Sequence, residues 1–597
     1  MNMRLPVVTK AFMGRACTSV IRTRAGSTPA ARNSGCATAR RKASVSASRI
    51  VTTGAAAPWA RAATGAKKGT RDASMTSSFS RDHAGRHHAE RMSGRDHAFR
   101  MPGLLPRPAA CRPGAAPGLG GRLRAGVLAL GALALPGCET LSGLNPLGSA
   151  GPAEGTPGFV RGFLGGIAAE DPAAALVGRQ VLSAGGTAVD AAVAAGFAMA
   201  VTLPSRVGIG GGGACLVFDP AKAATEAVLF LPGARQTVPA GADRPAAVPL
   251  LARGLFALHT RNPRRPFEEL MAPAEQLARF GTEVSRGLAA DLAAVSGPLL
   301  ADPAAQAIFG RPGGGAKQSG EQMLQPELAA TLGQLRLAGV GDMHQGVLAR
   351  RLEDVSRSAG GHLTLEELRT ALPGLARPID LPSRGGDRIA FLPPPADGGL
   401  AAAAAFEAMR GGADLTAATE RGLAAVAAWR QQGGDPVRLV GSGDLPPARF
   451  AALPASAGLI VFDRTGLAVS CAFTLNNLFG TGRVAPGLGF LLAAAPGTGA
   501  VQPALLSAAI AYNANIRGFK LLAVASGQQA APIGVAGPAA LSLLRGDLPE
   551  SALDRGSPAP ARTQLAVCAN YLPGRPDRCI ALTDPRGAGV ALGAVDQ

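Results

Sequence analysis

The feature that most restricts what this chain can fold into is a change of texture near residue 457. Ahead of it, apolar residues recur at helical spacing. In Asp171–Ala200 the series Leu176, Val177, Val181, Leu182, Val189, Ala192, Val193 and Phe197 marks two helices broken at Gly185-Gly186. Val248–Ala293 reads as helix with a break near Gly281, and Gly346–Ala371 and the alanine-rich Leu400–Met409 read as further helices. Phe391-Leu-Pro-Pro-Pro-Ala-Asp-Gly-Gly399 is a turn, because proline cannot continue a helix and glycine permits positive φ. Behind residue 457, short β-rich runs take over: Gly458–Asp463, Leu467–Leu475, Leu521–Ser526 and Cys579–Asp584. The tight Arg464-Thr465-Gly466 turn joins the first two. A helical front half and a strand-rich back half fit a layered α/β (α+β) protein.

Charge divides the chain elsewhere. Of 597 residues with a formal net charge of +20, residues 1–137 hold 23 Lys+Arg against 4 Asp+Glu, and the rest hold 37 against 36. Basicity therefore belongs to the leader and says nothing about partners of the globular part. Residues 1–100 carry no apolar period and read as a disordered basic leader, with Met101 the more sensible start of the protein. Arg40-Arg41-Lys42 and Arg81–Arg86 would neutralise phosphates, but aromatic residues for base stacking are nearly absent, so no nucleic-acid partner is expected. In residues 101–138, Arg107, Arg112, Arg122 and Arg124 precede the apolar run Ala125–Leu135, too short to span a bilayer, and then Leu135-Pro-Gly-Cys138. This resembles a bacterial lipoprotein signal, in which Cys138 would take the lipid; the plainer alternative is an ordinary signal peptide with an incidental cysteine. The expectation is a periplasmic lipoprotein of the cell envelope, touching membrane only through its anchor, with residues 139–165 as a tether.

Export implies an oxidising compartment. Cys568 and Cys579 flank a Pro/Gly-containing loop and could close a short disulfide, while Cys215 and Cys471 sit in apolar runs and read as buried. No CxxC occurs, and only His259, His344 and His362 lie beyond the leader, so no metal site is expected. Gly208-Ile-Gly-Gly-Gly-Gly213 formally satisfies G-x-G-x-x-G. A dinucleotide fingerprint needs strand, glycines, then helix, whereas here the order is helix, glycines, strand, which excludes that reading.

Six segments, in order, resemble the γ-glutamyltransferase family of N-terminal-nucleophile hydrolases. They are Ala184-Gly-Gly-Thr-Ala-Val-Asp-Ala-Ala-Val-Ala194, the Gly208–Gly213 turn, Val248-Pro-Leu-Leu-Ala-Arg-Gly254, Pro273-Ala-Glu-Gln-Leu-Ala278, the Pro393…Gly399 segment, and Val461–Asn476 leading to Phe479-Gly-Thr-Gly482. The resemblance implies an αββα sandwich, with residues 166–455 like the family's large subunit and 456–597 like its small one. It also implies one self-cleavage, after which the new N-terminal hydroxyl residue is the nucleophile and its freed α-amine the base.

On this resemblance Ser456 stands where the family has its threonine. Thr474 and Asn476 match the residues that organise the nucleophile and the substrate carboxylate. The oxyanion-hole amides fall on Gln528 and Gln529, and the family's double serine is reduced to Ser507. Three departures stand out. Leu231 occupies the place of the arginine that clamps the glutamyl carboxylate, leaving Arg235 as its substitute. Leu492-Ala-Ala-Ala-Pro-Gly-Thr498 carries no acid for the substrate amine, and the Gly-Gly pair has become Gln-Gln. The implied activity is a γ-glutamyltransferase or glutathione-hydrolase-like enzyme acting on a small γ-glutamyl or altered acyl-amide substrate, with no cofactor. The alternative is a catalytically inactive envelope lipoprotein of the same fold with a binding or structural role.

Overall fold

The computed structural model describes residues 162–450 and 455–593. The basic leader, the signal segment with Cys138, and the tether up to residue 161 lie outside the described residues.

The helix pair forms as its sequence dictates. Asp171 caps helix Pro172–Ser183 by accepting from the amides of Ala173 and Ala174. After the Gly185-Gly186 break, Thr187 caps helix Ala188–Thr202, and Asp190 returns a bond to the Thr187 amide. Every residue of that second helix is buried. It is apolar all round because it lies between a sheet and an outer layer of helix, including Phe267–Phe280.

Two antiparallel sheets stack between helical layers. The first has seven strands in the order Val590–Gly593, Gly165–Ala169, Ser456–Asp463, Ala468–Thr474, Gly212–Asp219, Ala224–Phe230, Gly374–Ala376. The second has six: Cys579–Thr583, Arg562–Leu572, Gly518–Ser526, Ser507–Asn513, Arg388–Phe391, Ile379–Pro382. Side-chain parity sorts the core into layers. Leu459, Val461, Val469 and Phe473 face the first helical layer. Ile460, Phe462, Leu522 and Val524 meet between the sheets. Ala523, Ala525 and Leu565 face the second helical layer, where helices Gly398–Arg410 and Ala531–Ala540 pack. The expected αββα sandwich is therefore the observed one. The strand Gly165–Ala169 starts within the stretch read as tether; its small residues Gly-Gly-Ile-Ala-Ala give no β-rich signal, yet it pairs on both edges.

The glycine run serves close packing. A Cβ on Gly211 would sit 2.3 Å from the Thr474 carbonyl oxygen, and one on Gly212 2.0 Å from that of Phe230. Cys215 and Cys471, expected only to be buried, are also bonded: they lie opposite each other on adjacent strands and form a disulfide, as do Cys568 and Cys579. Among the described residues no group of three His, Cys, Asp or Glu could hold a metal, and no helix is long and apolar enough to cross a membrane.

Candidate active site

Ser456 opens its strand, and alternation puts its side chain on the face shared by Gly458, Ile460 and Phe462, toward the second sheet. A Cβ on Gly458 would come 2.4 Å from a Val524 methyl, and the Phe462 and Phe519 rings lie 5.5 Å apart. The two strands thus run in opposite senses across the sandwich, so Ser456 faces the Ser526-Gly527-Gln528 end. Its hydroxyl is buried and has no hydrogen-bond partner.

Thr474 stands directly opposite Ser456 on the adjoining strand. Its hydroxyl donates to the carbonyl of Ala455, the residue whose peptide bond precedes Ser456, and accepts from the Asn476 amide at 2.7 Å. Asn476 adopts a left-handed φ of +64°, which asparagine tolerates better than most residues. Its carboxamide N–H groups donate to the carbonyls of Pro232 at 2.7 Å and Ala494 at 2.9 Å. Both donors are spent on bracing two loops.

Gly527 and Gln528 are both left-handed, with φ of +117° and +51°. They turn the chain into the short helix Gln528–Ala530 and then into Ala531–Ala540. The Gln528 and Gln529 amides thereby occupy a helix start, where N–H groups have no intrahelical acceptor. The Gln529 side chain accepts from the Phe450 amide, on the segment leading to Ser456.

Arg235 and Ser507 are not brought to this site. Arg235 is buried, and its fork donates to both Glu367 oxygens at 2.7 Å and to the carbonyls of Gly361 and His362. Four of its five N–H groups are thus committed to the fold. The substitute clamp is absent because the loop after Pro232 carries Arg235 away to helix Leu365–Thr370. Ser507 shares the strand face of Ala509 and Ala511, which packs on the second helical layer, and donates to Leu505. Parity puts Ser526, not Ser507, between the sheets.

Three residues the sequence reading missed complete this end of the sandwich. Glu170, just past the first strand, accepts from the Gly458 amide at 3.0 Å, from the Ser526 hydroxyl at 2.9 Å and from Arg206 at 3.2 Å. Arg206 is itself clamped by Asp291 through two 2.7 Å bonds. Burial pushes the Glu170 carboxyl up to about 7, with Arg206 opposing the rise. The only signal in sequence is a glutamate closing an otherwise apolar five-residue run.

Comparison with known proteins agrees with this architecture. A cephalosporin acylase from Bacillus halodurans superposes with a TM-score of 0.58 at 19% identity, covering 75% of this chain and 99% of that one. The fold is that of the N-terminal-nucleophile hydrolases. The sequence profile described as gamma-glutamyltranspeptidase matches residues 174–429. Glutathione hydrolase 2 of Arabidopsis thaliana is 30% identical over 254 residues, 40% of this chain and 43% of the relative. An Acylase ACY 1 proenzyme from a Pseudomonas species is 32% identical over 260 residues, 40% of this chain and 46% of the relative. These matches span less than half the length of those curated relatives. Over residues 174–429 the chain is similar to the γ-glutamyltranspeptidase family.

Proposed function

We propose that the chain cuts itself between Ala455 and Ser456 and then works as an acyl-transferring amide hydrolase with Ser456 as nucleophile. The observation that carries the reading is the unpartnered, buried Ser456 hydroxyl beside a carbonyl already held by Thr474. In the first step Ser456 Oγ attacks the Ala455 carbonyl carbon, and Thr474 donates to the oxygen that gains charge. The C–N bond breaks, the hydroxyl proton passes to the departing α-amine, and Ala455 is left as an ester on Ser456. Water hydrolyses that ester, releasing Ala455 as a carboxylate and restoring the Ser456 hydroxyl, for which the already free α-amine is the base. In turnover, Ser456 attacks a substrate amide, releases its amine and holds the acyl group until water or an acceptor amine takes it.

The donor is a small γ-glutamyl or related acyl amide, as the names of the glutathione hydrolase and acylase relatives suggest. Leu231 at the clamp position, the committed Arg235, and the acid-free 492–498 loop favour an acyl group other than the glutamyl zwitterion. The experiment is mass spectrometry of the reduced, denatured chain beside Ser456→Ala. Two fragments divided at Ala455/Ser456 in the wild type alone are expected; one uncut chain in both would sink the proposal. Placement as a lipid-anchored periplasmic protein belongs to the same reading, supported by Leu135-Pro-Gly-Cys138 and by two disulfides. Palmitate labelling that persists in Cys138→Ser would refute the anchor.

A further inference from the structure

We propose that a cavity behind Glu170 binds a small oxyanion of the phosphate class. This inference stands whether or not Ser456 is a nucleophile. The cavity has a volume of about 220 Å³, room for several waters or one tetrahedral anion. Arg206, Arg286, Arg562 and Arg586 line it, with Glu170, Asp584 and Gln564. Ser456, Thr474 and Asn476 do not.

The charges in this hollow do not cancel. Arg206 is answered by Asp291 and Glu170, and Arg586 by Asp584. Arg562 spends one nitrogen on the Pro560 and Ala561 carbonyls. Among the described residues neither Arg562 nor Arg286 pairs with a carboxylate, and with Glu170, Asp291 and Asp584 all ionised the four arginines still leave the hollow with a net charge of about +1. Helix Arg286–Leu300 begins here, and Gly287 of its first turn lines the same wall. The positive end of that helix adds to the arginines.

A second observation points independently to a ligand. Gln564 is 2% exposed and lines the cavity, yet its Oε1 has no hydrogen-bond partner. A buried acceptor left unmet is costly, and such groups call for an occupant that donates. An oxyanion bearing one hydrogen meets both demands. Its bare oxygens accept from Arg562, Arg286 and the helix amide, while its O–H donates to Gln564. Hydrogen phosphate has that form at neutral pH, and sulfate does not.

The site also touches the catalytic end. Glu170 forms one wall while accepting from Gly458, two residues beyond Ser456. A bound anion would raise the negative potential at that carboxyl.

Calorimetric titration of inorganic phosphate into the full chain tests the assignment. One saturable site is expected. Arg286→Ala removes an exposed side chain and leaves the fold intact, and it should weaken binding about fivefold or more; Arg562→Gln should weaken it at least about tenfold. Gln564→Leu should weaken phosphate about threefold and sulfate not at all. No saturable phosphate binding to the wild type, or binding that Arg286→Ala and Arg562→Gln leave unchanged, would overturn the proposal. Sulfate binding as tight as phosphate would remove the role given to Gln564.

Discussion

Glu170→Gln separates stability from charge at the buried end of the first strand. The wild-type carboxyl moves from its ordinary 4.5 to about 7 in the folded chain, chiefly through burial. At acid pH it is protonated in both states. Between those two values the unfolded chain releases its proton while the folded chain keeps it, so rising pH favours unfolding. Above 7 both states are ionised and the loss is complete. Linkage then gives a decline of about 2–3 kcal/mol between roughly pH 5 and 8 from this one group. The glutamine amide resembles the protonated acid but cannot titrate. It keeps an acceptor for the Gly458 amide while turning N–H groups toward the Arg206 and Ser526 side, so at pH 5 the variant should be the less stable by about 1–2 kcal/mol. The gap should close, and even reverse, by pH 8. Urea unfolding at a series of pH values, both proteins carrying Ser456→Ala so that the chain stays whole, reads the difference directly. Parallel stability curves would refute the reasoning, because every other titrating group is common to the two.

Two further outcomes follow from the same geometry. Thr474→Val removes the donor to the Ala455 carbonyl and should slow self-cleavage about 10²–10³-fold, while Thr474→Ser keeps the hydroxyl and stays near wild type; the time course of fragment appearance by mass spectrometry measures both. Arg235→Ala should act on the fold rather than on substrate, costing about 2–4 kcal/mol in denaturant unfolding by stranding Glu367. A raised KM with unchanged stability would restore Arg235 to the acyl pocket.

Much of the architecture was readable because its signals are local. The Gly185-Gly186 break and the Arg464–Gly466 turn each lie within a few residues of the elements they shape. The position of Thr474 beside Ser456 followed from the Val461–Asn476 motif, because Thr474 closes the strand paired with Ser456 and Asn476 comes two residues later. Arg235 misled because a loop path decides where it goes, and Ser507 because one step of strand parity decides which layer it faces. Glu170 had no readable role at all. Its partners lie 36, 288 and 356 residues away in sequence, and only the stacked sheets bring Arg206, Gly458 and Ser526 to one carboxylate.

The Cys215–Cys471 bridge joins a strand before the proposed cut to a strand after it. Scission at Ala455/Ser456 would then create a new chain end without creating a second molecule. The two pieces would stay at a fixed one-to-one ratio, and neither could be traded between copies unless a thiol opened the link. Refolding after denaturation would be a first-order event, indifferent to dilution, because each piece meets its partner at the high local concentration set by the tether. Reduction would turn the same recovery into a bimolecular search.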